Sequence, residues 1–212
     1  MTEATLGRRE RKKEETRRRI FDAAIKLFTD KGFEATTVDE IAAAADVAKG
    51  TFFNYFPRKE DIVHFLFEEW TAMGESILAE SHRSAEDRLV DMFAEAAASF
   101  GETRELAGAV ARFSLQQMCA PDPYVAQTHR RHDQIFDAIW QQGVERGEFR
   151  ADMDPKQARG VLGSVFVGAA TWWVGSHGGH VDPDALRYTL PEVIRLNVRA
   201  VFDGLRARGK RS

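Results

Sequence analysis

Cysteine is almost missing from this chain. Cys119 is the only one in 212 residues, so no intramolecular disulfide can form, and a lone thiol suits a reducing cytoplasm. It has no basic neighbour in the sequence, so a buried structural thiol is expected. Enzyme signatures are missing as well. There is no G-x-S-x-G, Walker loop, G-x-G-x-x-G or H-E-x-x-H, so the sequence offers no catalytic residues and no cofactor. His129 and His132, with Asp133 adjacent, make a single imidazole pair. Arg130 and Arg131 beside them oppose a cation, so a solvated helix face is expected rather than a metal. His177 and His180 fall in a Gly-rich stretch and are expected to face water. Long apolar runs are scarce. Gly160 to Val181 lacks Asp, Glu, Lys and Arg, but its glycines, two His, two Ser and a Thr leave an apolar part shorter than the roughly 20 residues of a membrane span. A buried helix is the reading, with no membrane partner. The first residues are charged rather than apolar, so no secretory signal is read and a cytoplasmic location is expected. Alternating β-branched runs between hairpin turns are also absent, which excludes a sheet and points to an all-α fold.

An excess of positive charge is lacking overall, since the net charge is -3. Its distribution matters more. Residues 1–59 carry 13 Lys and Arg against 10 Asp and Glu, a balance of +3; residues 60–212 carry 17 against 23, a balance of -6. The densest basic run, Arg8 to Arg19, holds eight cations and three anions. Such a run is either a solvated tail or, placed before a DNA-reading motif, a phosphate-seeking arm. The acidic remainder argues that nucleic acid touches one end only.

What is present begins with Thr37 to Phe56, T-V-D-E-I-A-A-A-A-D-V-A-K-G-T-F-F-N-Y-F. Thr37 and Glu40 have the spacing of a capping box. Val38, Ile41, Ala42 and Ala45 then keep helical steps, Asp46-Val47-Ala48 breaks them, and a second short helix starts at Lys49. That is a helix-turn-helix, whose second helix enters a major groove; the competing reading is a plain helical hairpin. Lys49, Thr51 and Asn54 are the candidates for base edges, with Gly50 allowing close approach. Thr37, Phe53, Tyr55 and Lys59 are the candidates for the sugar-phosphate backbone.

Read outward, I-F-D-A-A-I-K-L-F (20–28), G-F-E-A-T-T-V-D-E-I-A (32–42) and K-G-T-F-F-N-Y-F-P-R-K-E-D-I (49–62) resemble the TetR (tetracycline-repressor-like) family of transcriptional regulators. The likeness covers about the first third of the chain. Ala48 and Arg58 stand where that family commonly has capping Ser residues. Asn54 and Tyr55 stand where Tyr or Trp and His are frequent. These departures bear on base preference, not on the fold. The resemblance implies a homodimer that binds double-stranded operator DNA and holds a small-molecule effector in its C-terminal part.

Domain organisation follows: a flexible basic arm over 1–12, a three-helix DNA-binding domain over 13–60 with its motif at 37–56, and an effector-binding and dimerisation domain over 61–212. Three Asp-Pro pairs, at 122–123, 154–155 and 182–183, place a capping Asp before a Pro suited to a first helical turn. They mark helices near 123–146, 155–176 and 184–205, after others near 85–101 and 104–119. Pro191 is expected to bend or restart the last helix. About nine helices are expected in all. One of them carries two apolar stripes. Val161, Val165, Gly168, Trp172 and Gly175 form the first; Leu162, Phe166, Ala169 and Trp173 form the second. The first, with Ile194, Val198 and Val201 of the last helix, is the candidate dimer seam, against the alternative that one subunit buries both stripes. Aromatics crowd the second half, and Phe113, Gln116, Trp140, Phe166 and Trp173 are the candidate ligand-binding residues. The alternative to filling a pocket is filling a core. The leading function is thus a repressor released by an apolar or aromatic ligand. The alternative is an all-α enzyme or carrier without DNA binding.

Overall fold

A computed structural model of the chain describes residues 7–101, 104–120, 123–175 and 188–205. Among these residues there are nine helices and no strand: α1 Arg8–Lys31, α2 Val38–Ala44, α3 Lys49–Tyr55, α4 Glu60–Ala79, α5 Ala85–Ala98, α6 Arg104–Cys119, α7 Pro123–Glu145, α8 Pro155–Gly175 and α9 Leu190–Leu205. The chain divides into two compact units, Met1–Phe65 and Leu66–Ser212.

In the first unit, α1 starts at Arg8, so residues 8–12 are helical and not part of the flexible arm expected over 1–12. Lys, Arg and Glu are good helix formers, and opposite charges four residues apart support one another, as in the Arg18–Asp22 pair at 2.9 Å. Ile20, Phe21, Ala24 and Phe28 of α1 are buried with Ile41 and Ala42 of α2, Phe52 of α3, and Phe56. Each such large side chain contributes about 1.5–3 kcal/mol by leaving water. The capping box forms: Glu40 N–H donates to the Thr37 hydroxyl at 3.3 Å, and Thr37 N–H donates to a Glu40 carboxylate oxygen at 2.9 Å. The turn into α3 needs a left-handed residue, and Asp46 supplies it at φ 52°. Asp is among the few non-glycine residues that tolerate this region. Ala48 gives α3 no side-chain cap. At the next start, Asp61 accepts from Arg58 N–H at 2.8 Å and so replaces the missing Ser.

In the second unit, α5 packs on α7 and α9, and α8 packs on α6, α7 and α9. Gly143 of α7 permits one close approach. A Cβ there would lie 2.4 Å from the Phe149 ring and 2.8 Å from Ala85. The Glu148 carboxylate accepts from Ala85 N–H at 2.6 Å and Glu86 N–H at 3.3 Å, which places an anion at the positive end of α5. On α5, Asp91 is gripped by Arg83 and by Arg195 of α9. Pro191 sits in the first turn of α9, where its missing N–H is harmless, so it starts this helix rather than bending it. His177, His180 and the expected helical start near 184 lie outside the described residues.

Candidate functional site

Two sites emerge, one in each unit. In the first unit, Arg9, Lys12, Lys13, Thr16 and Arg19 of α1 share a groove of about 650 Å³ with Val47, Ala48, Thr51, Asn54 and Tyr55. The basic run therefore faces the second helix of the motif. The sequence did hold this signal: positions 9, 12, 13, 16 and 19 follow the three- and four-residue steps of one helix face. On α3, Gly50, Phe53 and Asn54 are exposed, and Phe52 between them is fully buried. Alternation on so short a helix turns one face to the core and leaves the other open to a polyanion.

The cations differ in what holds them. Lys49 pairs with Asp39 of α2 at 2.9 Å with both side chains more than half exposed, so water and salt screen this bond and it yields readily to phosphate. Lys59, a candidate for the DNA backbone, is engaged within its own unit. Its ammonium donates to the carbonyls of Phe33 at 2.7 Å and Thr36 at 3.1 Å and lies 4.3 Å from the Phe33 ring centre. It ties down the α1–α2 loop. Thr37 likewise uses its hydroxyl in the cap. The Glu40 carboxyl within that cap is held down to about 2, first by the Lys31 ammonium and then by the Thr37 N–H and hydroxyl.

In the second unit, a cavity of about 250 Å³ is lined by aromatic rings and several polar side chains. Phe67, Trp70, Phe93, Phe136 and Phe166 supply the rings. Phe67 packs on Trp70 and on the His129 ring, each with centroids 4.3 Å apart, and the Trp70 indole N–H donates to the Ser99 hydroxyl at 2.8 Å. Ser114, Gln117, His129, His132, Asp133 and Arg159 are the polar side chains. Arg159 approaches Asp133 at 3.1 Å and also pairs with Asp137. Burial, aided by the Arg159 charge, pushes the His132 imidazole down to about 4, so it is neutral at pH 7. Its Nδ1 is buried without a hydrogen-bond partner. Burial raises the Asp133 carboxyl, although Arg159 opposes that shift.

Several sequence expectations are corrected here. Of the five candidate ligand residues only Phe166 lines this cavity. Trp140 is fully buried in a stack with Phe136 and Phe149, continued by Phe202, with adjacent rings within 15° of parallel. It belongs to solid core because neighbouring rings cover both its faces. Phe113 is buried against Phe67 at 5.9 Å, and Trp173 is buried with its indole N–H on the Tyr188 carbonyl at 3.0 Å. Gln116 points to solvent, while its neighbour Gln117 takes the cavity position. His129 and His132 lie on the cavity wall, not on a solvated face, and Cys119 is exposed rather than buried. Among the described residues no cluster of three or more potential metal ligands occurs.

The two stripes of α8 part company. Leu162, Phe166, Ala169 and Trp173 are buried, whereas Val161 and Trp172 are 41% and 42% exposed and Gly168 and Gly175 have open space where a Cβ would stand. On α9, Ile194 and Val198 are fully buried within the unit and Val201 is half-buried, so the first two are unavailable to a second chain. Leu196, 58% exposed, with Ala200 and Gly204 at four-residue steps, forms the open face instead.

Residues 20–65 match the family described as bacterial regulatory proteins, tetR family. The fatty acid metabolism regulator protein of Bacillus subtilis is 27% identical over 161 residues, 73% of this chain and 81% of that protein. The HTH-type transcriptional repressor KstR2 of Rhodococcus jostii is 25% identical over 197 residues, 89% of this chain and 90% of that one. Among solved structures, Thermus thermophilus FadR, a TetR-family transcriptional repressor in complex with lauroyl-CoA, aligns with a TM-score of 0.60 at 25% identity, over 92% of this chain and 98% of that chain. No described helix is long and apolar enough to cross a membrane.

Proposed function

We propose that this chain, a TetR-family DNA-binding transcriptional regulator, represses from its operator until an apolar, acyl-like ligand fills the cavity of the second unit. Operator DNA, a second copy of the chain and a small-molecule effector are its partners. Thr51 and Asn54 read base edges, Gly50 lets α3 approach closely, and Lys49 changes its partner from Asp39 to phosphate. Phe53 and Tyr55 lie along the sugar-phosphate, and the α1 cations of the groove add sequence-independent attraction. The protein works by binding rather than catalysis, in the cytoplasm.

The observation that carries the ligand reading is the aromatic cavity itself. Its volume lies just under the roughly 300–1,000 Å³ of small-molecule sites, and its lining is mainly apolar with a minority of polar groups, as in such sites. The acyl preference draws on the relatives, one a fatty acid metabolism regulator and one solved with lauroyl-CoA. Phe67 and Trp70 belong to α4, which begins at Glu60 within the DNA-reading unit. A ligand pressing on those rings acts on a helix shared by both units. Recognition helices of a pair must stand ~34–36 Å apart to enter successive major grooves. A ligand that prefers another spacing tenfold shifts the balance by about 1.4 kcal/mol.

Gly163 offers the test. It lines the cavity, and nothing lies within 4 Å of where its Cβ would be, so a larger side chain projects into open space. Gly163→Leu is expected to keep operator binding in a gel shift and to lose release by lauroyl-CoA. Equal release from this variant and the parent would place the ligand elsewhere. The second chain is expected on the open stripe of α8, Val161, Val165, Gly168, Trp172 and Gly175, beside Leu196 of α9. Gly168→Glu buries an unpaired charge there, a loss of several kcal/mol that sedimentation reads as monomer. A variant that stays dimeric would rule out this seam.

A further inference from the structure

The polar groups of the cavity discriminate between ligands more sharply than its aromatic wall can. Arg159 serves two carboxylates, Asp133 at 3.1 Å and Asp137, so this trio carries one net negative charge when both acids are ionised. A ligand carboxylate brought against Asp133 meets repulsion, and the guanidinium that could have received it is already engaged on two sides. A quaternary ammonium gains little here, because Arg159 already stands on both carboxylates and such a head has neither a donor nor an acceptor for the His132 ring. Among the described residues, the His132 Nδ1 is buried on the cavity wall with no hydrogen-bond partner. A neutral imidazole offers an N–H donor in one tautomer and a lone pair in the other. It therefore suits a hydroxyl, which can answer either, or a carbonyl, which accepts. Leaving such an atom unpaired is unfavourable, and a ligand that satisfies it recovers the difference on binding.

We propose, on the premise that this cavity is the effector site, that it selects against charge. It takes a hydrocarbon ligand whose buried end is an uncharged hydrogen-bonding group, hydroxyl or carbonyl, seated at His132. It discriminates against both carboxylates and quaternary ammoniums of the same chain length. Three probes share a twelve-carbon chain and differ in the head: 1-dodecanol, laurate and dodecyltrimethylammonium. Laurate and the ammonium are added below their micelle concentrations and dodecanol below its solubility limit, to the full-length protein, with Trp emission and operator release read together, since Trp70 lines the cavity. Dodecanol is expected to act at concentrations at least tenfold lower than either charged probe. His132→Phe is expected to erase most of that advantage. Asp133→Asn is expected to narrow the gap between laurate and dodecanol by lowering the effective concentration of laurate, with Asp137→Asn as the substitute should the first variant fold poorly. Laurate acting as well as dodecanol would overturn the proposal, and so would a dominant response to the ammonium, which would make the acid pair a cation site. If none of the three moves either signal, it is the ligand-cavity reading that fails, and this proposal with it.

Discussion

In the unit Met1–Phe65, neighbouring aromatics sort cleanly: Phe52 is fully buried, and Phe53 beside it is 43% exposed. In the unit Leu66–Ser212, rings of the same kind sort by a rule that no single helix displays. Phe136 lines the cavity and also stacks towards Trp140, and Trp140, one turn further along α7, does not line that cavity. The difference lies in how many partners complete a ring's surroundings. On α2 and α3 one buried face meets one small core, so helical phase alone decides a residue's role. Among α4 to α9 every ring has candidates on several helices, and whether it walls a space or fills one depends on which of them arrive.

That contrast is most sharply tested at Trp140. If it is core, Trp140→Ala is expected to remove about 3–5 kcal/mol of stability, read as a lower denaturant midpoint. A variant of unchanged stability that merely binds effector more weakly would move Trp140 back to the cavity and blur the division between wall and core.

His132 gives the next largest effect. Its folded pKa of about 4 lies below the ordinary 6.5, so the unfolded chain takes up the proton first. Stability is therefore complete above pH 6.5 and falls as pH drops from there towards 4. The full shift corresponds to roughly 3 kcal/mol, reduced in so far as solvent reaches the ring. Denaturation of the parent and of His132→Gln at pH 7 and pH 4.5 isolates this part. Parallel pH profiles for the two proteins would show that the polar groups of the cavity are open to water.

The smallest effect belongs to the first unit and probes its local character. Thr37→Ala removes a cap contributing about 0.5–2 kcal/mol, and Thr37→Ser is expected to restore it. The Glu40 carboxyl, held at about 2 against an ordinary 4.5 first by the Lys31 ammonium and then by the Thr37 cap, is a source of stability that is present above pH 4.5 and lost as pH falls towards 2. Thermal melts at pH 7 of the three proteins read the difference. Ser failing to rescue would mean that Thr37 is held by tertiary packing and not by its own helix start.

How far the sequence could be read depends on the same physics. The all-α class, the helix-turn-helix and the capping box at Thr37 and Glu40 depend on contacts within about four residues, and composition and spacing carry those in full. The two stripes of α8 were legible for the same reason. Spacing could not say which stripe its own unit would cover, nor that Ile194 and Val198 would be consumed by packing within the unit. The fate of Lys59 was hidden too, because the carbonyls that hold it belong to residues 33 and 36. What the sequence by itself determined is most of the helices and their faces, because backbone hydrogen bonds and helical period are local. What only the tertiary structure decided is which rings enclose space and which fill it, and that Arg159 answers two acids while His132 Nδ1 answers none. Those are outcomes of packing among distant segments, where a shift of one helix by a few ångströms turns wall into core.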